Sequence, residues 1–359
     1  MENDLSRLAQ SLVRIDSRSR LSNIPVADRI EAELDGFEIE QLDYTDAGGA
    51  AKRVLVAHRG GPGGLALSGH MDTVPDTGWA DDPWSGRIAD GILHGLGSVD
   101  MKGPVAACIM AAKASARATL ILTTDEETTK EGARAIAARS QLARRAELKG
   151  IVVAEPTHLH PVRGHRAHIA FTATAEGVQA HSSTGLGTNA NWALIPFLAE
   201  AKAMFERLRN DPSLQDTAYE PPFSDFNLVI DNHGTAVNVT VAKATARIKF
   251  RYSRRIDPTP VVEAMRAAAR ANGVHLEEAY EGTPPELPED HPLIRRAAEI
   301  SGKAPRTAPY GTDASELQAI APCVVLGPGG IETAHTPHEH VALGDLAQAV
   351  AIFQRMLSA

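Results

Sequence analysis

Ala118-Thr119-Leu120-Ile121-Leu122-Thr123 runs without a break into Thr124-Asp125-Glu126-Glu127-Thr128. The first half is a short continuous run of apolar and β-branched residues, the pattern of a strand buried on both faces of a parallel sheet. The second half sets three carboxylates in succession at the carboxyl end of that strand. Like charges so crowded are costly unless a cation or a shared proton relieves them. In open α/β sheets, ligands sit beyond the carboxyl ends of the strands, where several loops converge. Chemistry is therefore expected just after Thr123. For these acids taken alone, a solvated acidic helix start is the plainer alternative.

Three more apolar runs, residues 64–68, 150–153 and 323–326, also end at acidic or histidine-bearing sequence. Helical periodicity marks residues 5–15 and 26–34, and short β-rich runs then alternate with Ala-rich helical ones, which is α/β patterning. From about residue 167 to 282 the order changes: strand 168–175, helix 189–209, strands 227–231 and 244–253, helix 260–271, strand 274–280. That is βαββαβ, a small split-βαβ layer. It contains no acidic cluster of the first kind, and such clusters resume at Gly311 and His335, so the layer reads as an insertion. Four prolines among acidic residues over 281–292 suit a return linker. The expected division is 1–166 and 283–359 for the interrupted domain and 167–282 for the inserted one.

At 359 residues the chain exceeds a usual single domain. With 43% hydrophobic and 23% charged residues it has the composition of a folded globular protein. Its net charge of −9 provides no positive field for phosphate backbones or acidic lipid, so neither nucleic acid nor membrane is expected as a partner. Met1-Glu2-Asn3-Asp4 lacks the basic start and apolar stretch of a signal peptide, and no run approaches the ~20 apolar residues of a membrane span. A cytoplasmic location is expected. Cys108 and Cys323 lie in apolar surroundings, which fits buried thiols better than a disulfide.

Four further clusters accompany the acidic triplet. In Ser68-Gly69-His70-Met71-Asp72-Thr73-Val74-Pro75, His70 has the chemistry of a metal ligand. A bound imidazole usually donates its second ring N–H to a carboxylate, and Asp72 is spaced to accept it. Gly95-Leu96-Gly97-Ser98-Val99-Asp100-Met101-Lys102-Gly103 leads into a helix over 104–113. Its glycines match neither the dinucleotide fingerprint nor the Walker loop, and an Asp would repel phosphate. With two oxygens, Asp100 can hold two cations ~3.5–4 Å apart; alone, it could equally cap the helix. Adjacent residues of an extended segment point opposite ways, so Glu127 can bind metal while Glu126 faces the water.

Ala154-Glu155-Pro156-Thr157 and Ala334-His335-Thr336-Pro337-His338-Glu339-His340 complete the set. One metal is expected between His70, Asp100 and Glu155, and another between Asp100, Glu127 and His335, each keeping an open position for a bridging hydroxide. Two divalent ions are implied, zinc in the first place and cobalt as the alternative. His338 and His340 are assigned to a solvated loop. Each cluster alone has an ordinary structural explanation. Five in order, each beyond an expected strand, carry the reading.

Residues 69–75, 97–103 around Asp100, 124–128, 155–157 and 334–337 together resemble the metallohydrolase family that contains acetylornithine deacetylase, succinyl-diaminopimelate desuccinylase, aminoacylase and carboxypeptidase G. The resemblance covers essentially the whole chain. It implies a zinc-peptidase-like α/β catalytic domain with a central mixed sheet between helices, interrupted by a βαββαβ ferredoxin-like lid that dimerises. It also implies that His181, in Gly177-Val178-Gln179-Ala180-His181-Ser182-Ser183, reaches the active site of a second copy in a homodimer and steadies the oxyanion. Asn238 and Arg251 are implied to grip the substrate carboxylate, and Thr312, in Gly311-Thr312-Asp313-Ala314, to face the substrate. An Arg fork suits bidentate binding of a carboxylate; an exposed strand Arg is the alternative.

The chemistry so implied is amide hydrolysis. The metals polarise the acyl carbonyl and acidify the water, while Glu126 takes the water's proton and returns it to the leaving amine. Residues 159–166, Leu159-His160-Pro161-Val162-Arg163-Gly164-His165-Arg166, are similar to the acetylornithine deacetylase branch. The expected substrate is accordingly a small N-acyl, foremost N-acetyl, amino acid, with N-acetylornithine and arginine biosynthesis indicated. Desuccinylase, aminoacylase and carboxypeptidase activities are the alternatives, since pocket contacts alone separate them. A non-catalytic metal-binding protein would be expected to have lost the base or a ligand, and all are present.

Overall fold

The computed structural model describes residues 2–358. By its internal contacts the chain divides into two units, the first comprising the chain up to Gly164, Pro285–Arg306 and the chain from Thr312 onward, the second His165–Pro284 with Thr307–Gly311. The crossing points fall two residues from the expected 166/167 and 282/283 boundaries. Thr307–Gly311, placed by sequence with the first domain, groups with the second unit.

The first unit is built on an eight-stranded mixed sheet. Six strands follow one another across it: Glu38–Thr45, Ala51–Arg59, Ala118–Thr123, Leu65–His70, Gly150–Val153 and Cys323–Val325. The first three are antiparallel, and the last four are mutually parallel. Their register puts His70 opposite Thr123, Ser68 opposite Val153, and Val153 opposite Val325. The carboxyl ends of the parallel strands are thus nearly level, and the sequences that follow them open at one edge of the sheet.

All six residues of Ala118–Thr123 and all four of Gly150–Val153 are buried, as expected of parallel strands covered on both faces. One cover is the helix Lys102–Lys113, buried over most of its length and packed between the helices Glu2–Val13 and Leu343–Leu357. Small residues let it approach closely. A Cβ on Gly69 would come within 2.8 Å of both Met101 and Val105, so only glycine fits there. The hairpin Glu38–Thr45/Ala51–Arg59 and the helices Glu131–Arg139 and Pro292–Ser301 were not resolved from the sequence. The hairpin's outer strand, Glu-Ile-Glu-Gln-Leu-Asp-Tyr-Thr, is only partly buried, and its charged residues mask the alternation.

The second unit has its own core, with Phe171, Phe197, Phe250, Leu194 and Met265 at its centre. Its elements run Ala167–Glu176, Asn191–Asn210, Asp225–Asp231, Lys243–Tyr252, Thr259–Ala271 and His275–Glu281, which is βαββαβ. The strands form an antiparallel sheet in the order Asp225–Asp231, Lys243–Tyr252, Ala167–Glu176, His275–Glu281. Strict alternation of buried and partly buried residues along Ala167–Ala175 shows why period-two patterning was legible there. Both cysteines are buried, and burial raises both thiols above their ordinary pKa. Among the described residues no helix is long and apolar enough to cross a membrane.

Candidate metal centre

The level strand ends and the loops beyond them, with the segment that leads into the helix Lys102–Lys113, bring His70, Asp100, Glu127, Glu155 and His335 together. Two groups form, His70 with Asp100 and Glu155, and Asp100 with Glu127 and His335; within each, one ligand atom per residue lies within 4.8 Å of the others. Asp100 belongs to both and divides its oxygens between them. Its Oδ1 lies 3.0 Å from His70 Nε2, and its Oδ2 lies 3.3 Å from His335 Nε2. Glu155 Oε1 is 3.8 Å from His70 Nε2, and Glu127 Oε1 is 3.0 Å from His335 Nε2. Zinc bonds of about 2.0–2.1 Å at a tetrahedral angle separate two ligand atoms by roughly 3.3 Å. The observed spacings bracket that value, and two groups of three N and O donors leave one position open on each, so the residues fit a pair of divalent ions.

The electrostatics make the same demand. Burial, aided by the Asp100 charge, pushes Glu127 up to about 8 and Glu155 well above the usual carboxylate range. Burial alone would raise Asp100, but the imidazoles of His335 and His70 hold it low. His335, hydrogen-bonded to Asp100 and Glu127, is pushed up to about 11. Burial disfavours a charge on His70, yet its contacts with Asp100 and Asp72 outweigh that and raise it. Without a cation these groups can coexist only by sharing protons. Metal binding, which needs deprotonated ligands, replaces those protons with positive charge.

Asp72 does not act quite as expected. His70 Nδ1 donates to the backbone carbonyl of Asp72 at 2.9 Å, and the Asp72 carboxylate lies farther off at 3.5 Å. That carboxylate instead accepts the Glu126 N–H at 3.2 Å, the Glu127 N–H at 3.4 Å and the Ser19 hydroxyl at 2.7 Å. It holds the acidic loop as well as facing the histidine.

The separation of Glu126 from Glu127 also has a different origin. Residues 126–129 form a turn, not an extended segment. Asp125 adopts a left-handed backbone with φ of 62°, and its carbonyl accepts N–H bonds from Thr128, Thr129 and Lys130. Within this turn Glu127 meets His335, while Glu126 Oε1 lies 3.0 Å from Lys130 Nζ. Asp100 is not the helix cap, since Met101 holds that position.

Two partners escaped sequence reasoning. Lys130 is one; the other is Glu339, buried, whose Oε1 accepts the N–H groups of Val99 and Asp100, each at 3.0 Å. A carboxylate four residues beyond His335 was the available signal. His338 is exposed, and His340 begins the short strand His340–Ala342. Neither belongs to a metal-binding group among the described residues.

Thr312 is buried, and its hydroxyl accepts the Ala314 N–H at 3.1 Å. His181, Asn238 and Arg251 lie in the second unit. His181 is exposed; its Nδ1 accepts the Ser183 N–H at 3.3 Å, so the neutral ring carries its proton on Nε2. The exposed Asn238 neighbours it, its carbonyl accepting the Ser182 N–H at 3.0 Å. Arg251 sits opposite Asp225 in the sheet register and contacts its carboxylate at 2.5 Å.

A mixed α/β sheet with two carboxylate-linked donor groups beyond its parallel strands, together with the family match that follows, makes the chain a metal-dependent hydrolase of amide bonds. The chain belongs to peptidase family M20/M25/M40, which matches residues 66–359. It is 31% identical over 371 residues to an acetylornithine deacetylase of Myxococcus xanthus, covering 97% of this chain and 95% of that one. To an acetylornithine deacetylase of Photorhabdus laumondii it is 32% identical over 346 residues, covering 90% and 86%. Its fold matches an M20 family metallo-carboxypeptidase of Sulfolobus solfataricus with a TM-score of 0.76 at 14% identity, over 99% and 98% of the two chains. A dinuclear metal-binding M20 peptidase of Bacillus subtilis aligns with a TM-score of 0.64 at 18% identity, over 99% and 97%.

Proposed function

We propose that this protein removes the acetyl group from an N-acetyl amino acid, N-acetylornithine foremost, with Glu126 as the general base. The observation that carries this reading is Asp100, one carboxylate shared between two donor groups, with Glu126 on the same turn as the ligand Glu127. In it His70, Asp100 and Glu155 hold one zinc ion and Asp100, Glu127 and His335 the other, cobalt being the alternative metal. Such a pair supplies Lewis acidity to the acyl carbonyl and lowers the pKa of water toward neutrality. Glu126 takes the proton from that water and returns it to the leaving amine. Lys130, with Nζ 3.0 Å from Glu126 Oε1, orients the base.

The second unit supplies recognition in this proposal. The His181 tautomer supports it, because a ring protonated on Nε2 is a donor suited to a developing oxyanion. Arg251 and Asn238 bind the substrate carboxylate, Arg251 exchanging its Asp225 partner for the ligand. Thr312, in the first unit, faces the substrate from the turn that it caps. The edge strand Asp225–Asp231 exposes Leu228, Val229 and Ile230 to 39%, 52% and 51%, which supports pairing with a second copy through this unit. The two buried thiols support a reducing, cytoplasmic setting.

The test is a hydrolysis panel on zinc-loaded protein. N-acetylornithine should give the highest kcat/KM. Preference for N-succinyl-diaminopimelate, for N-acyl apolar amino acids or for C-terminal peptide bonds would move the enzyme to another branch of the family. Mixing His181→Ala chains with Glu126→Gln chains tests the shared site: recovery of activity supports it, and none removes His181 from a second copy's chemistry.

A further inference from the structure

Among the described residues Lys52 is, with Lys102, one of the two lysines in the set of largest fully buried side chains, and no step proposed above employs it. It lies on the strand Ala51–Arg59, paired with Tyr44 across the hairpin. The two side chains divide the Asp125 carboxylate between them. Lys52 Nζ is 2.7 Å from Asp125 Oδ1, and the Tyr44 hydroxyl donates to Oδ2 at 2.7 Å. The ammonium also donates to the backbone carbonyls of Ser19 and of Leu21, the latter at 3.0 Å. Asp46 lies more distantly, at 3.4 Å.

Burying a charged ammonium is costly unless it is paired and hydrogen-bonded, and here all three protons are committed. What they hold is informative. Asp125 is the left-handed residue whose carbonyl gathers the N–H groups of Thr128, Thr129 and Lys130, and so shapes the turn carrying Glu126 and Glu127. Ser19 donates its hydroxyl to Asp72, whose carboxylate accepts the Glu126 and Glu127 N–H groups. Two routes from one ammonium therefore converge on the same two residues. Neither route touches Glu155, the ligand on the far side of Asp100.

We infer that Lys52 is a positioning residue for the hydrolysis: through Asp125 and through Ser19 and Asp72 it sets the pose of the Glu126–Glu127 turn. The inference rests on the metal and base assignments proposed above. It makes an asymmetric prediction. Loosening this turn weakens the metal group that contains Glu127 and misplaces Glu126, whereas the His70, Asp100 and Glu155 group is reached only through the contact of Asp72 with His70 and is weakened less. A residue that merely supports the fold would weaken both groups together.

Lys52→Met alone would strand the Asp125 charge in the interior and could unfold the protein. The informative variant is therefore Lys52→Met with Asp125→Asn, which removes both charges and keeps at 125 a residue tolerant of the left-handed backbone. Chelator competition on the full-length zinc protein, with Lys52→Arg as the conservative control, reads the two metal groups separately from activity. The double variant should bind its weaker zinc about tenfold less tightly, hold the other within about twofold, and lose about 100-fold in kcat with KM little changed. Adding Glu126→Gln should make the remaining kcat loss shrink to about threefold, because both changes then act through one group. Equal weakening of both zinc ions, or a kcat within about threefold of wild type, overturns the inference. Failure of wild-type protein to bind two zinc ions, or full activity of Glu126→Gln alone, would instead overturn the underlying assignments.

Discussion

The two units present their polar side chains in opposite ways. In the first, His70, Asp72, Asp100 and Glu155 are buried, His335 alone of the candidate ligands being exposed, and Lys52, Glu339, Ser19 and Lys130 brace them or the acidic turn beside them. In the second, His181 and Asn238 stand exposed on hydrogen-bonded loops, and Arg251 is paired with Asp225 at a partly exposed position. The difference follows from desolvation. A buried charge must be fully partnered, which makes it rigid, and metal chemistry needs that rigidity. An exposed charge loses little when its partner is exchanged, which suits recognition of a ligand.

The most direct way to break this comparison is at the base. Glu126→Gln should lower kcat by about 1000-fold while both metals are retained, because general acid–base catalysis contributes on that scale. A loss smaller than tenfold would put the base elsewhere. The counterpart in the second unit is Arg251→Ala, which should raise KM about tenfold with kcat within about threefold and little change in thermal stability. If kcat alone fell, Arg251 would act in the chemistry and the contrast between the units would fail.

The smallest effect concerns pH. In the metal-free protein Glu127 sits at about 8 against an ordinary 4.5, so between those values the folded state binds more protons than the unfolded chain. The stability from that proton is present below about pH 4.5 and lost as pH rises through 8. His335, at about 11 against 6.5, likewise loses its contribution from 6.5 upward. Metal needs both groups deprotonated, so its stabilisation grows over the same range. The difference in Tm between zinc-loaded and chelator-treated protein should widen by several degrees from about pH 5.5 to pH 8. A narrowing difference would mean that metal does not displace the protons of Glu127 and His335.

Legibility in the sequence varied with the range of the forces involved. The strands at 118–123 and 150–153 and the βαββαβ order were readable because burial imposes a local period or an unbroken apolar run. The outer hairpin was not, because its stability comes from cross-strand pairing between Glu38–Thr45 and Ala51–Arg59 and not from an apolar pattern. The short segment Thr307–Gly311 likewise carries no local mark of the unit it joins.

At the site, the sequence by itself picked out the candidate donors that the structure brings together. Few residue types can bind a divalent cation, and parallel strands deliver whatever follows them to one edge, so His70, Glu127, Glu155 and His335 could be picked out in order, with Asp100 read from the segment before the helix Lys102–Lys113. Tertiary structure alone decided how they are held. The left-handed Asp125 that turns Glu127 toward His335, the Lys52 and Tyr44 pair that grips it, and the bond from Glu339 to an Asp100 N–H 239 residues away depend on register and on buried hydrogen-bond geometry. Those partners are chosen by proximity in three dimensions, and no spacing along the chain encodes them.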